Sequence, residues 1–201
     1  NGKSTNGMLA VADGSTFSYT FNQILYWDRT FGNHHIDFMG GHEFYKYNYQ
    51  YLYGEKTGFP FGGLYELDAA TTVSNASSYT NNYAIESYFT RLNYDFNDKY
   101  YFSASYRRDG TSRFKKEVRF GDFWSVGASW RLSQENFMQG IDWLNNLTVK
   151  ASYGVQGNDN IGSLYAWQAF YSLAYPNQSF PGAIVTSLEN ADLKWEKNNN
   201  F

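Results

Sequence analysis

The chain has 201 residues, a net charge of −3 and no cysteine, which excludes disulfides, thiolate metal sites and a general attraction to nucleic acid. Aromatic residues, at 21%, outnumber charged residues, at 17%, a balance unusual for a soluble domain. The sequence has no run of about 18 apolar residues and no basic-then-apolar start, so neither a membrane-spanning helix nor a signal peptide is expected.

Alternating side chains and turn residues predict about six β-strands. In chain order they lie near residues 16–31, 34–53, 83–96, 100–108, 123–132 and 146–155. Gly32-Asn33 suits a two-residue hairpin turn, and Asn97 and Asp98 suit a second short turn between Phe96 and Lys99. Three long loops rich in Gly, Ser, Thr and Asn are predicted at 54–82, 109–122 and 156–188. Short turns at one end of a sheet and long loops at the other are typical of an outer-membrane barrel. The connection from Ser133 to Asn145, at the short-turn end, is longer and fits this pattern least well.

Each of the last four predicted strands has one apolar and one small or polar face. Because successive side chains in a strand point to opposite sides, the period of two separates Trp124, Val126 and Trp130 from Ser125 and Arg131. We expect one face to meet lipid, with Tyr88, Leu92, Phe102, Tyr106, Trp124, Val126, Trp130, Val149 and Tyr153. The other face is expected to line a lumen, with Ser105, Ser129, Arg131, Lys150 and Ser152.

Six strands are too few for a complete membrane barrel. Single-chain bacterial barrels have about eight strands or more, and an open sheet edge is costly in lipid. A further strand is predicted to begin near Lys194-Trp195-Glu196-Lys197. We therefore expect residues 1–201 to be part of a larger barrel domain.

Several segments resemble the SusC/RagA-type TonB-dependent outer-membrane transporters. They are ESYFTRLNYD (86–95), KYYFSASYRRDG (99–110), FWSVGASWR (123–131), WLNNL (143–147), KASYGVQGN (150–158) and DLKWEK (192–197). The resemblance covers roughly residues 16–201 and implies an all-β fold, an antiparallel meander of about six strands from a 22-stranded transmembrane β-barrel with long extracellular loops. It also implies that the plug, the signal peptide and the C-terminal strands are absent from this chain.

The resemblance also implies a function. Such transporters import oligosaccharides, or peptides in some members, across the outer membrane of a Gram-negative bacterium. Their partners are a SusD-like surface lipoprotein, outer-membrane lipids and TonB, which would act through a segment that this chain lacks. The alternative is a soluble all-β carbohydrate-binding module, which would cluster its aromatic rings on one patch rather than at strand ends. A barrel lipase would need a nucleophile–base pair, and none is visible.

No catalytic motif of the G-x-S-x-G, H-E-x-x-H or P-loop type is present, so we expect neither an enzyme nor a cofactor. Turn and strand roles are favoured over metal binding for His34, His35, His42 and the Asn158-Asp159-Asn160 loop. The loop aromatics could stack on sugar rings or pack on one another. The candidates for substrate contact among them are Tyr165, Trp167 and Tyr171, with Phe170 and Tyr175 beside them.

Six basic residues fall between positions 107 and 119. We expect Arg107 and Arg108, with Asp109, to be structural. Candidates for contact with an anionic substrate or lipopolysaccharide phosphate are Arg113, Lys115, Lys116 and Arg119. The alternative is a solvated loop. A second pattern is a ladder of one residue type on the second predicted strand, formed by Tyr45, Tyr47, Tyr49, Tyr51 and Tyr53.

Overall fold

The computed structural model of the chain describes residues 6–141, 143–173, 175 and 182–201. These residues form β-strands and short 3₁₀ turns. The strands are β1 (Met8–Phe31), β2 (His34–Thr57), β3 (Thr72–Phe96), β4 (Tyr100–Thr111), β5 (Phe120–Arg131), β6 (Thr148–Asn158), β7 (Phe170–Ser172), β8 (Ile184–Ser187) and β9 (Glu196–Asn200). The 3₁₀ turns are Leu67–Ala69, Leu132–Gln134 and Asn136–Met138.

The main sheet is a meander. Its strand order is β1-β2-β3-β4-β5-β6-β9, while β7 and β8 pair with each other in a separate hairpin. Neighbours from β3 to β9 pair antiparallel. The predicted all-β meander is confirmed, and β9 confirms the further strand that was expected after Lys194.

The chain divides into two compact units. The first comprises residues 1–19 and 46–83, and the second comprises residues 20–45 and 84–201. β1, β2 and β3 each contribute residues to both units, whereas β4 to β9 belong to the second unit only.

β1 and β3 begin earlier than the predicted starts at 16 and 83. The early part of β3 is a polar segment without apolar alternation, and for this reason its sequence predicted a loop. Its strand conformation depends on pairing in the first unit, where Ser74 Oγ donates to Thr57 Oγ1 (3.2 Å) and Asn48 Nδ2 donates to Asn82 Oδ1 (2.9 Å). Strand formation there follows the neighbouring strands rather than the hydrophobic pattern.

Both predicted short turns are confirmed, with two residues (32–33) between β1 and β2 and three residues (97–99) between β3 and β4. Gly32 has a φ of +58°, and Asn97 and Asp98 have φ values of +56° and +54°. Two consecutive left-handed residues are what a type I′ hairpin turn requires, and Asn and Asp tolerate that conformation. The Asn97 N–H donates to the Asn33 carbonyl (2.7 Å), so the two turns are held side by side.

The strand registers confirm how the predicted residues divide between the two faces, while contact of these faces with lipid and with a lumen stays a prediction. Trp130 pairs with Tyr100 on β4 and with Val149 on β6, and the Tyr100 and Trp130 rings stack at 6.2 Å. Arg131 and Lys150, each one residue further along β5 and β6, therefore lie on the opposite face. The same registers group the other predicted apolar residues with Trp130, namely Tyr88, Leu92, Phe102, Tyr106, Trp124, Val126 and Tyr153. They group Ser105, Ser129 and Ser152 with Lys150.

Candidate substrate-facing site

Arg107 is the centre of a polar network on the polar face of β3 and β4. Its Nε donates to both carboxylate oxygens of Asp109 (2.6 and 2.9 Å), and its Nη2 donates to Ser87 Oγ (2.8 Å) and Glu43 Oε1 (3.4 Å). Ser87 and Asp109 are buried, and the guanidinium lies 5.5 Å from the centre of the Phe89 ring. Because the guanidinium is hydrogen-bonded to three side chains, Arg107 is held in place within the sheet. This confirms the structural role predicted for Arg107 and Asp109.

Arg108 lies on the other face. Its Nη1 donates to Asp122 Oδ1 (3.3 Å), which also accepts from the Tyr106 hydroxyl (2.6 Å). The guanidinium lies 5.2 Å from the Phe120 ring centre. These contacts confirm that Arg108 is structural, and they place a polar group at the long-loop end of the apolar face.

Two long loops are joined to each other beside β4. Thr111 Oγ1 donates to Asp159 Oδ2 (2.7 Å), and Arg113 Nη1 donates to the Asp159 carbonyl (3.1 Å) and to Asn160 Oδ1 (2.9 Å). Thr111 is fully buried and the Arg113 side chain is 17% exposed. Arg113 therefore holds the loop that follows β6, and its contact with a substrate stays a prediction.

A buried aromatic cluster fixes the same loops to β5 and β9. Trp195 packs edge-on against Phe114 (5.8 Å between ring centres) and Phe123 (5.1 Å), and its Nε1 donates to the Arg119 carbonyl (2.8 Å). Phe114 is 0% exposed and Phe123 is 7% exposed. Residues 112–119 are thus held at both ends, by Arg113 and by the backbone of Arg119.

The other basic candidates are in a different environment. Lys115 is partly exposed and Lys116 is exposed, and among the described residues neither forms an ion pair. Arg119 is partly buried, and among the described residues its Nε has no hydrogen-bond partner. Contact of Lys115, Lys116 and Arg119 with an anion stays a prediction.

Some of the candidate loop aromatics pack on neighbouring side chains, and others are exposed. Tyr165 packs edge-on against Phe170 at 6.2 Å, which is the self-packing alternative. Trp167 is partly buried, and among the described residues its Nε1 has no hydrogen-bond partner. Tyr171 and Tyr175 are 59% and 52% exposed. Contact of Tyr165, Trp167 and Tyr171 with a substrate stays a prediction.

The histidines and the Asn158 loop bind other protein groups. The histidine pairs are His34 with the Tyr94 hydroxyl (2.7 Å), His35 with Asp28 (2.8 Å) and His42 with Glu86 (3.2 Å). Asn158 Nδ2 donates to Glu196 Oε2 (3.0 Å), and Asn158 Oδ1 accepts from the Asn160 N–H (3.0 Å). Within the described part of the chain, no group of three or more His, Asp or Glu side chains could hold a metal ion.

The Glu135 carboxylate accepts hydrogen bonds from two side chains at the short-turn end of the sheet. The sequence did not predict a role for this residue. It lies between two 3₁₀ turns, and its Oε1 accepts from the Tyr100 hydroxyl (2.6 Å) and from Trp130 Nε1 (3.0 Å). Lys99 Nζ lies 3.5 Å from Oε2. The hydrogen bond from Tyr100, followed by that from Trp130, lowers the pKa of the Glu135 carboxyl because both stabilise its charged form.

Replacing Glu135 by glutamine is expected to remove a pH-dependent part of the stability. Because the folded-state pKa lies below the usual 4.5, the carboxylate stabilises the fold above that value. This contribution is lost as the pH falls through the folded-state pKa. The thermal midpoint of the wild type should therefore exceed that of Glu135→Gln at pH 7, and the difference should shrink towards pH 3. A difference independent of pH would contradict the assignment.

An antiparallel meander with one apolar face and one polar face is the architecture of a membrane β-barrel wall. Among the described residues, no helix has the length and apolar character needed to cross a bilayer. Residues 2–201 match the family described as TonB dependent receptor-like, beta-barrel. The chain belongs to this family, and its similarities place it with the SusC/RagA type.

Individual relatives support this assignment. The chain is 30% identical over 197 residues to TonB-dependent receptor P3 of Formosa agariphila, a match covering 92% of this chain and 20% of that protein. It is 30% identical over 201 residues to TonB-dependent receptor SusC of Bacteroides thetaiotaomicron, covering 84% and 20%. The RagAB peptide importer in its closed-closed state superposes with a TM-score of 0.86 at 27% identity, covering 94% and 21%. The chain thus spans about a fifth of the length of these relatives.

Proposed function

We propose that this chain forms part of the wall of an active transporter in the outer membrane of a Gram-negative bacterium. The transporter imports oligosaccharides, or peptides, together with a SusD-like surface lipoprotein, and uses energy delivered through TonB. The observation that carries the proposal is that residues 2–201 match the receptor barrel family. The sheet that these residues form has one apolar and one polar face, as a barrel wall requires. The likeness to the RagAB peptide importer supports import as the activity.

The role of the chain in this proposal is to bind and to enclose rather than to catalyse. The apolar face suits contact with lipid, while the Arg107 network and the row of small residues around Gly127 suit a wet interior. In that row, Gly127 pairs with Ser103 and Ser152, and Ser129 pairs with Lys150. A soluble carbohydrate-binding module is disfavoured because exposed apolar side chains also follow β4, β5 and β6 along one whole face, which is more apolar surface than a sugar-binding patch needs.

The experiment is an uptake assay with the complete transporter in its bacterial host. Labelled oligosaccharides and peptides are offered to cells that carry the transporter and to cells from which it has been deleted. The proposal expects uptake that requires the transporter, TonB and the neighbouring SusD-like lipoprotein. Uptake that continues unchanged without TonB would overturn it.

Lys115 and Lys116 serve anion contact in this proposal. The double substitution Lys115→Gln/Lys116→Gln should slow uptake of an acidic oligosaccharide several-fold at low salt and less at high salt, because exposed charges are screened. Lys46→Gln, an exposed lysine on β2, is the control and should leave uptake unchanged. Equal uptake by the double variant and the wild type at every ionic strength would leave both residues as solvated surface.

A further inference from the structure

A strip of tyrosine rings lies on one face of the first compact unit. Alternate positions of β2 carry Tyr47, Tyr49, Tyr51 and Tyr53, and β3 contributes Tyr79. The Tyr79 ring lies 5.9 Å from Tyr49 and 5.2 Å from Tyr51 between ring centres. None of the five is buried, and Tyr79 is 50% exposed. We call this set the tyrosine ladder.

The backbone beneath the ladder is not available to a ligand. β2 lies between β1 and β3 in the sheet, so its N–H and carbonyl groups pair with those two strands. An extended peptide that adds a strand needs a free sheet edge for its main-chain hydrogen bonds. A ligand lying along the ladder therefore meets side chains only, that is, ring faces and hydroxyl groups.

The strand segments around the ladder contain no Asp, Glu, Lys or Arg. This holds for residues 14–20 of β1, 47–53 of β2 and 72–83 of β3, although the whole chain has 35 such residues. The first charged partner is Glu55, which accepts from the Tyr53 hydroxyl (2.7 Å) at the end of the ladder. The absence of charge suits a neutral ligand, because a charged ligand would lose hydration here without gaining a counter-ion.

The shape of the ladder suits a chain molecule. Alternate residues of a strand are roughly 6.6–6.8 Å apart, so the four tyrosines of β2 extend over about 20 Å. Gly14 on β1 faces this row, and a Cβ there would lie 3.0 Å from Tyr49 Oη. A larger side chain at Gly14 would therefore crowd the tyrosine.

We propose that the tyrosine ladder binds a neutral linear oligosaccharide, with pyranose rings stacked on Tyr49, Tyr51 and Tyr79. Sugar rings have apolar faces that pack on aromatic rings and hydroxyl groups that bond to tyrosine hydroxyls. This inference rests on the proposed import function and assigns an uncharged stretch of the imported glycan to the ladder. It also assigns the contact to a set of residues separate from the loop aromatics around Tyr165.

The test uses the complete transporter carrying Tyr49→Thr, Tyr51→Thr and Tyr79→Thr together. Threonine keeps a high strand propensity, so the rings are lost without a residue that disfavours strands. Binding to a panel of neutral linear gluco-, manno-, xylo- and galacto-oligosaccharides is measured on the purified protein. The affinity for the glycans that the wild type binds should fall at least about tenfold. A tenfold fall corresponds to about 1.4 kcal/mol of binding free energy, and each aromatic stacking contact contributes about 0.5–1.5 kcal/mol.

Two control variants separate binding from folding. The triple Tyr→Phe variant keeps the rings and should retain most of the affinity. Leu52→Thr lies between Tyr51 and Tyr53 on the opposite face, is 62% exposed in the wild type, and should leave binding unchanged. All variants are first checked for the folded barrel by their migration on gels with and without heating.

Three results would overturn the inference. The first is that the wild type and the triple Tyr→Thr variant bind equally well. The second is that the wild type binds no neutral glycan of the panel. The third is that the ladder affects the binding of peptides or acidic glycans only. Uptake measured in parallel separates the two proposals. TonB-dependent import without any effect of the ladder removes this inference alone, whereas absence of TonB-dependent import removes the proposed function.

Discussion

Replacing Val126 by arginine is expected to destabilise the barrel by about 2–4 kcal/mol, the cost of placing this cation at the midplane of a bilayer on a lipid-facing strand position. Val126 lies on the apolar face of β5, paired with Ala104 and Tyr153. It is midway along β5 between Asp122 and Trp130, which bear polar contacts at the two ends of that face. The measurement is the thermal midpoint of the complete transporter in lipid vesicles.

The matched control is Ser152→Arg on the polar face. Ser152 pairs with Gly127, so a long side chain there meets little bulk from β5. The control should cost much less than Val126→Arg, because its guanidinium stays in polar surroundings. If Ser152→Arg costs as much as Val126→Arg, the assignment of the two faces to lipid and interior is wrong.

The alternation that predicts these faces is a local property, and this explains why the sequence predicted them well. A period of two determines the face of every residue in β4, β5 and β6 once one pairing is known. The turn at Asn97-Asp98 was equally predictable, since two left-handed residues favour Asn and Asp. The first part of β3 was missed because its residues are polar, and pairing with β2 alone makes it a strand.

The candidate site depends on long-range contacts that no local pattern reveals. Glu135 becomes a hydrogen-bond centre only when its turn brings it to the Tyr100 hydroxyl and the Trp130 indole. Arg113 was predicted as an anion contact from its charge, but its neighbours Asp159 and Asn160 come from a loop more than forty positions away. The tyrosine ladder was visible as a sequence pattern, whereas the contribution of Tyr79 needed the structure.

Replacing Gly157 by valine is expected to weaken the attachment of the long loops and to lower the stability by about 3 kcal/mol, the upper part of the usual range for overpacking. A Cβ at Gly157 would overlap the Phe123 ring. Phe123 is 7% exposed and packs edge-on against Trp195, so its ring cannot move without disturbing the cluster. Valine is a good strand former, so backbone propensity does not explain a loss.

The readout is the temperature at which the folded gel species of the complete transporter disappears, with protease cleavage in residues 112–119 as a second measure. Gly62→Val is the control, since nothing lies within 4 Å of a Cβ at that position. In the Gly157→Val background, Phe123→Ala opens space for the added methyl groups, so the double variant should lose less stability than the sum of the two single variants. A Gly157→Val protein as stable as Gly62→Val would show that the cluster tolerates a side chain there. If the stability losses of the two single variants add up strictly in the double variant, Phe123 is not the group that excludes a side chain at position 157.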